Sequence, residues 1–230
     1  MPTRPTAALS VRDGYAAWAS VYDDDGNPLV ALEGPAVRGW FGSLAGLRAL
    51  DLGCGTGRHT EALLEAGARR VVALDVTPEM IARARVKLAG RPVDWVIYAL
   101  ENPLPFADAT FDLAVLGLVA EHIVPLAATL GDVARVLTPG ARCILSALHP
   151  DRTAEGQCAR YIDPATGLRR SIETHHRSTA DYLAAARSAG LDLVAERTLA
   201  GTAELAQTLP RAVPYVGQNL GWAACWVKPG

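Results

Sequence analysis

Glu121 and His122 follow one apolar run (111–118), and His149 ends another (142–148). An imidazole titrates near neutrality, so either histidine can take a proton from a phenol, an amine or an activated carbon. Glu121 can act on the same proton, or it can simply accept a hydrogen bond from a ligand. Each residue also has a structural alternative: His122 can cap or pack within its loop, and His149 can stand clear of any substrate. Further along, Arg160, Arg169, Arg170, His175, His176 and Arg177 gather basic character. A flap bearing them can hold an anionic or phenolic substrate, although a charge run also serves as a solvated face. The four cysteines, Cys54, Cys143, Cys158 and Cys225, form no CxxC pair, and no metal-ligand spacing is visible. No serine stands in a G-x-S-x-G elbow, so a serine hydrolase gains no support.

A second constellation points to a bound ligand. Gly53, Gly55 and Gly57 alternate with Cys54 and Thr56 directly after the apolar run that contains Asp51. Glycines at this spacing let a chain turn sharply from strand to helix and let a ligand lie on bare backbone. A tight structural turn is the alternative. A dinucleotide fingerprint needs a third glycine where this chain has Arg58, which argues against a long pyrophosphate guest. The following helix start at 57–59 favours a carboxylate or phosphate. Asp75, at the end of the next apolar run, can accept from two ribose hydroxyls, or cap the helix opening at Pro78. Together these features imply an adenosine-type ligand with a short anionic group.

The elements that must position these groups alternate. Strands are expected over 48–54, 71–76, 93–100, 111–118 and 142–148, with helices over 58–66, from Pro78, and over 126–137. After Pro150 the rhythm breaks. Residues 150–178 carry no helix pattern, and 160–173 read as a hairpin turning at 163–167. A helix over 179–189, a strand over 192–199, a helix near 202–209 and a strand over 222–228 close the chain. This order specifies an α/β fold with a doubly wound, mostly parallel sheet.

Half of the 230 residues are hydrophobic and the net charge is −2. A sizeable core is affordable, and binding nucleic acid by phosphate neutralisation is disfavoured. Residues 1–10 contain two prolines and no apolar run, unlike a secretory leader, and no apolar stretch is long enough to span a bilayer. A cytoplasmic protein with no membrane partner is expected, and a homodimer is left open.

LDLGCGTGRHT (50–60) and ALDVTPEMIARAR (73–85) resemble the first two motifs of the class I S-adenosylmethionine (SAM)-dependent methyltransferases. NPLPFADATFDLAVLGLVAEHI and RVLTPGARCILSALHP resemble the later ones, so the likeness runs from about Tyr15 to Lys228. It implies a Rossmann-like sheet of seven strands, the last antiparallel, with helices on both faces. It implies one domain, 1–230, with lids at about 1–45 and 150–178. SAM is the cofactor so implied, held by Asp51, Gly53, Cys54, Gly55, Gly57, Arg58, Asp75, Leu116 and Glu121, with Val76 and Met80 flanking adenine. Tyr15 and Tyr22 resemble the aromatic segment that closes over the cofactor; plain helix packing is their alternative. Relatives often place an acid near 99 or 100, whereas this chain has Ala99-Leu100-Glu101, so Glu101 or the backbone at Leu100 and Glu101 takes that role. Gly140-Ala141 replaces a frequent glycine pair without touching the chemistry.

The implied activity is methyl transfer to a small molecule, with His122 and His149 as candidate bases and no metal. The alanine- and arginine-rich composition fits a high-GC bacterial source, and hence an acceptor from secondary metabolism. The rival readings are a non-catalytic SAM-binding protein, a nicotinamide-dependent oxidoreductase, and a SAM-fold enzyme performing another reaction such as cyclisation.

Overall fold

A computed structural model describes residues 8–230 of the chain. The central strand β1 (Arg48–Leu52) is parallel to β2 (Arg70–Asp75) on one side and to β4 (Phe111–Gly117) on the other. β3 (Val93–Ile97) continues the sheet beyond β2, and β5 (Leu137–Leu148) beyond β4. The hairpin strands β6 (Arg160–Ile162) and β7 (Arg169–Ser171) form a separate two-stranded sheet. β8 (Asp192–Ala200) and β9 (Asn219–Val227) complete seven strands in the order β3-β2-β1-β4-β5-β9-β8. β9 runs antiparallel between β5 and β8, the arrangement expected for the last strand.

Side chains alternate across the central strands, so both faces must be covered. On β4, Ala114 and Leu116 enter one core with Leu130 and Val133 of α5 (Leu126–Val136) and Tyr182 of α7 (Thr179–Ser188). Leu113 and Val115 enter the other with Val37 of α2 (Pro28–Arg38) and Leu63 of α3 (Arg58–Glu65). Leu116, expected at the cofactor, is therefore fully buried core. The helix α4 (Pro78–Lys87) opens with proline, whose missing N–H costs nothing in the first turn.

Several boundaries depart from the pattern read in sequence. β5 begins at Leu137 because Phe111 pairs with Leu137, and the register then shifts through a bulge at Thr138-Pro139-Gly140, where Gly140 has φ 80°. Gly140 N–H donates to the Lys228 carbonyl there. The third strand stops at Ile97, leaving 98–101 as loop. Residues 150–154 form a short helix, α6 (Pro150–Ala154), capped by His149. α1 (Val11–Trp18) and α2 also lie where sequence periodicity gave no helix.

The N-terminal segment and the hairpin are joined. Leu9 N–H donates to the Ser171 carbonyl, and Glu173 N–H donates to the Leu9 carbonyl. Trp18, Tyr161 and Ile172 form a small core between them, and Gly14 lets α1 lie directly against Ile172, where a Cβ would come within 2.6 Å. Residues 1–7 of the expected N-terminal lid fall outside the described chain.

Candidate active site

The strand order reverses between β1 and β4, and ligands of open α/β sheets bind beyond the carboxyl ends of strands at such a point. A cleft opens there. It is floored by the 53–56 turn after β1, walled by Asp75 and Val76 after β2, and closed by Gly117–Val119 after β4. Of the residues expected at the cofactor, Tyr15, Tyr22, Gly53, Cys54, Gly55, Arg58, Asp75, Val76, Met80, Leu100 and Glu101 all line it. His122 lines it too. Asp51 does not: it is buried beneath the turn and accepts from Thr60 Oγ1 at 2.6 Å. Gly57 also stands back, N-capping α3 against Ala84 and Leu88.

Gly53 and Gly55 have φ of 70° and 53°, in the left-handed region that side chains disfavour. A Cβ on Gly53 would meet Val119 Cγ2 at 2.4 Å, whereas one on Gly55 would meet nothing within 4 Å. Gly53→Ala should therefore cost about 1–3 kcal/mol by overpacking alone, in addition to backbone strain. Gly55→Ala should cost only the strain, roughly 1–2 kcal/mol. Thermal denaturation of the two variants checks this; equal midpoints would remove the Val119 contact from the account.

Asp75 Oδ2 accepts from Gly55 N–H and Oδ1 from Thr77 N–H, both at 2.8 Å. The carboxylate thus pins the glycine turn. It has about four lone-pair sites and spends two, so two remain for hydroxyl donors in the cleft. Burial raises its pKa, against the lowering effect of the two backbone donors. The fit to an adenosine ligand extends to the far wall. Met80 and Val76 are apolar there, and among the described residues the Leu100 and Glu101 N–H groups have no protein acceptor.

Tyr15 Oη lies 3.0 Å from His122 Nε2, and His122 Nδ1 lies 2.6 Å from the Glu173 carbonyl. A carbonyl can only accept, so Nδ1 carries a proton and donates to Glu173. In the neutral imidazole Nε2 then accepts from the Tyr15 hydroxyl. Burial drives the Tyr15 pKa well above 10, reinforced by Tyr22, Glu121 and Asp75, so its phenol stays neutral. Burial also pushes Tyr22 up to about 12.

Sequence reasoning missed Glu33. This carboxylate of α2 is fully buried and accepts from Arg58 Nη1 and from Ser146 Oγ, both at 2.5 Å, with His59 Nε2 at 2.9 Å. Burial alone would raise its pKa; the charge and hydrogen bond of His59, with Arg58 and Ser146, outweigh that and hold it at about 2. Ser146 Oγ in turn accepts from Leu118 N–H at 3.0 Å. Leu118 has φ 55°, a left-handed conformation rare for leucine, at the mouth of the cleft. Gly117 beside it leaves the room that His59 fills, since a Cβ would lie 2.3 Å from His59 Cδ2. The signal in the sequence was a lone acid inside an apolar run, LVALEGPAV, because a buried charge demands partners.

A second cleft shares Tyr15, Tyr22 and Leu118 with the first. Glu121 faces this one. His149 lines neither: its Nδ1 accepts from Asp151 N–H at 3.3 Å as the α6 cap, and burial lowers its pKa. The terminal lid and hairpin residues divide. Arg160 lines the second cleft, while Arg177 donates to the Ala120, Ile123 and Val124 carbonyls and so fastens the loop that carries His122.

A seven-stranded sheet with this strand order, a glycine turn pinned by the acid after β2, and a cleft at the strand ends fit the Rossmann-like fold of SAM-dependent methyltransferases, and the likeness implies SAM as the cofactor. Residues 50–145 match the family model described as a methyltransferase domain. The chain is 29% identical over 218 residues to an uncharacterised methyltransferase of Emericella nidulans, covering 79% of this chain and 76% of that protein. It is 39% identical over 109 residues to a ubiquinone biosynthesis O-methyltransferase of Xylella fastidiosa, covering 46% of this chain and only 44% of that one. A SAM-dependent methyltransferase from Mesorhizobium loti shares the fold, with a TM-score of 0.73 at 24% identity over 87% of this chain and all of its own. Among the described residues no helix is long and apolar enough to cross a membrane.

Proposed function

We propose that this enzyme methylates a small-molecule acceptor that gives up a proton during transfer, with His122 as the base. The observation that carries the reading is the Tyr15–His122–Glu173 chain, set in the wall between the cofactor cleft and its neighbour. In this reading Asp75 accepts from the ribose hydroxyls, Val76 and Met80 flank the adenine, and Leu100 and Glu101 meet its edge. The 53–55 turn, Tyr22 and Arg58 take the methionine end. SAM, when bound, supplies an electrophilic methyl group on a sulfonium sulfur, and its loss leaves S-adenosylhomocysteine. The chain's own work is alignment, worth up to about 7–11 kcal/mol, and removal of the proton.

The proton path runs through Tyr15. Its phenol is neutral, so it accepts the acceptor's proton only as it hands its own to His122 Nε2, and the Glu173 carbonyl steadies the imidazolium through Nδ1–H. The N-terminal segment and the 150–178 segment form the lid, because Tyr15 comes from one and Glu173 from the other. The Xylella relative named for O-methylation in ubiquinone biosynthesis supports an oxygen acceptor. The alanine- and arginine-rich sequence supports a bacterial secondary metabolite. Screening small phenols and acids with labelled SAM tests the reading, with label in the organic product expected. No turnover on any of them would speak for a binding protein instead, and release of S-adenosylhomocysteine with no acceptor dependence would mean methyl transfer to water rather than to a small-molecule acceptor.

A further inference from the structure

The second cleft contains polar groups that its own walls leave unanswered. Glu121 is 5% exposed, its Oε1 accepts weakly from Leu148 N–H at 3.3 Å, and its Oε2 is buried with no partner. A buried, unmatched carboxylate oxygen is costly enough to call for a ligand donor. Trp18 lines the same cleft, and its indole N–H, like Glu121 Oε2, is buried with no partner among the described residues. Opposite in charge stand Arg152 and Arg160. Both donate to one neutral atom, Gln157 Oε1, at 2.8 and 3.2 Å, and among the described residues neither pairs with a carboxylate. Arg211, the third arginine of the lining, is by contrast satisfied by Asp25. Two guanidinium groups sharing an amide oxygen leave a positive spot suited to a planar anion. Between these poles the walls are aromatic: Tyr15, Trp18, Tyr22 and Tyr215.

We infer that this cleft is the acceptor site and that it takes an aromatic carboxylic acid bearing a hydroxyl or amino donor. The carboxylate lies at Arg152 and Arg160, the ring packs between the aromatic side chains, and a hydroxyl or amino donor distinct from the group that passes its proton to Tyr15 reaches Glu121 Oε2. The inference rests on the methyltransferase reading for its claim that the guest is an acceptor, while the binding chemistry stands on the cleft itself.

The test uses 4-hydroxybenzoate, its methyl ester and benzoate as probes, titrated into the full chain by calorimetry. The acid should bind about ten- to a hundredfold more tightly than the ester, which lacks the anion. Arg152→Met should erase that difference by weakening the acid alone. Glu121→Gln should weaken 4-hydroxybenzoate and leave benzoate, which has no donor, unchanged. Equal affinity for acid and ester in the wild-type chain, no binding of any probe, or an Arg152→Met penalty equal on both would overturn the inference. A SAM titration on the same preparation separates the two claims: SAM binding without acid selectivity sinks only the acceptor class, and acid selectivity without SAM binding sinks only the methyltransferase role.

Discussion

Replacing His122 with alanine should lower turnover on the true acceptor by about 10²–10⁴-fold, the usual worth of a positioned general base. SAM affinity should change little, because in the proposed arrangement the cofactor's polar groups meet Asp75 and the glycine turn rather than the imidazole. Two features of the geometry make the prediction specific. The Glu173 carbonyl fixes the tautomer, so the lone pair is on Nε2, and Nε2 faces Tyr15. Tyr15→Phe should therefore also lower turnover, by removing the relay while leaving the imidazole in place. The pH profile discriminates a proton relay from mere packing. A base at His122 gives a rate that falls on acidification, and His122→Ala should abolish that limb. A fully active His122→Ala enzyme would remove the base, and a slow variant that kept the acidic limb would assign the limb elsewhere.

Glu33→Ala should cost about 3–5 kcal/mol of folding stability, because it strips the common partner from Arg58 and His59 beneath the cleft. For a chain of this length that is a fall in Tm of about 6–20 °C. The pH dependence has a definite sign. The Glu33 carboxyl titrates near 4.5 when free and at about 2 in the fold. A depressed carboxyl contributes stability that is complete above 4.5 and lost as pH falls toward 2, so the gap between wild type and Glu33→Gln should narrow across that window. Urea unfolding at several pH values measures it. A gap that stayed constant from neutral pH to pH 3 would show that packing, rather than charge, carries the effect. The same variant should loosen the cleft, since Ser146 links Glu33 to the strained Leu118 backbone.

The central parallel strands β1, β2 and β4 were legible in sequence because each is a short apolar run buried on both faces and ended by a turn signal, as in RALDLG. The cofactor turn was legible for the same reason that it works: Gly53 and Gly55 hold conformations that other residues resist. Tyr15 and Tyr22 of the aromatic segment YAAWASVY line the cleft. Other features depended on tertiary partners. α1 contains Gly14 and α2 contains Pro35, both poor helix formers, and packing against Ile172 and the sheet overrides those preferences. Glu121 and His122 are adjacent in sequence, yet the short 3-10 turn Ala120–His122 sends one side chain to each cleft. No periodicity could have divided them. His149 ends a strand on the correct side of the sheet but is turned to cap α6, because Pro150 starts a helix there. The Glu33 network is non-local by construction, joining residues from α2, α3 and β5.

Titration calorimetry with SAM, S-adenosylhomocysteine and NAD, on wild type and Asp75→Ala, is the most direct test of the cofactor cleft. Wild type should bind SAM and S-adenosylhomocysteine with micromolar affinity and give no heat with NAD. Asp75→Ala should weaken SAM by at least about 1.5–3 kcal/mol, the worth of hydrogen bonds to a charged acceptor, since it also releases the Gly55 backbone. Folded wild-type protein that bound neither SAM nor its product would contradict the account, and an Asp75→Ala affinity equal to wild type would take the ribose away from β2.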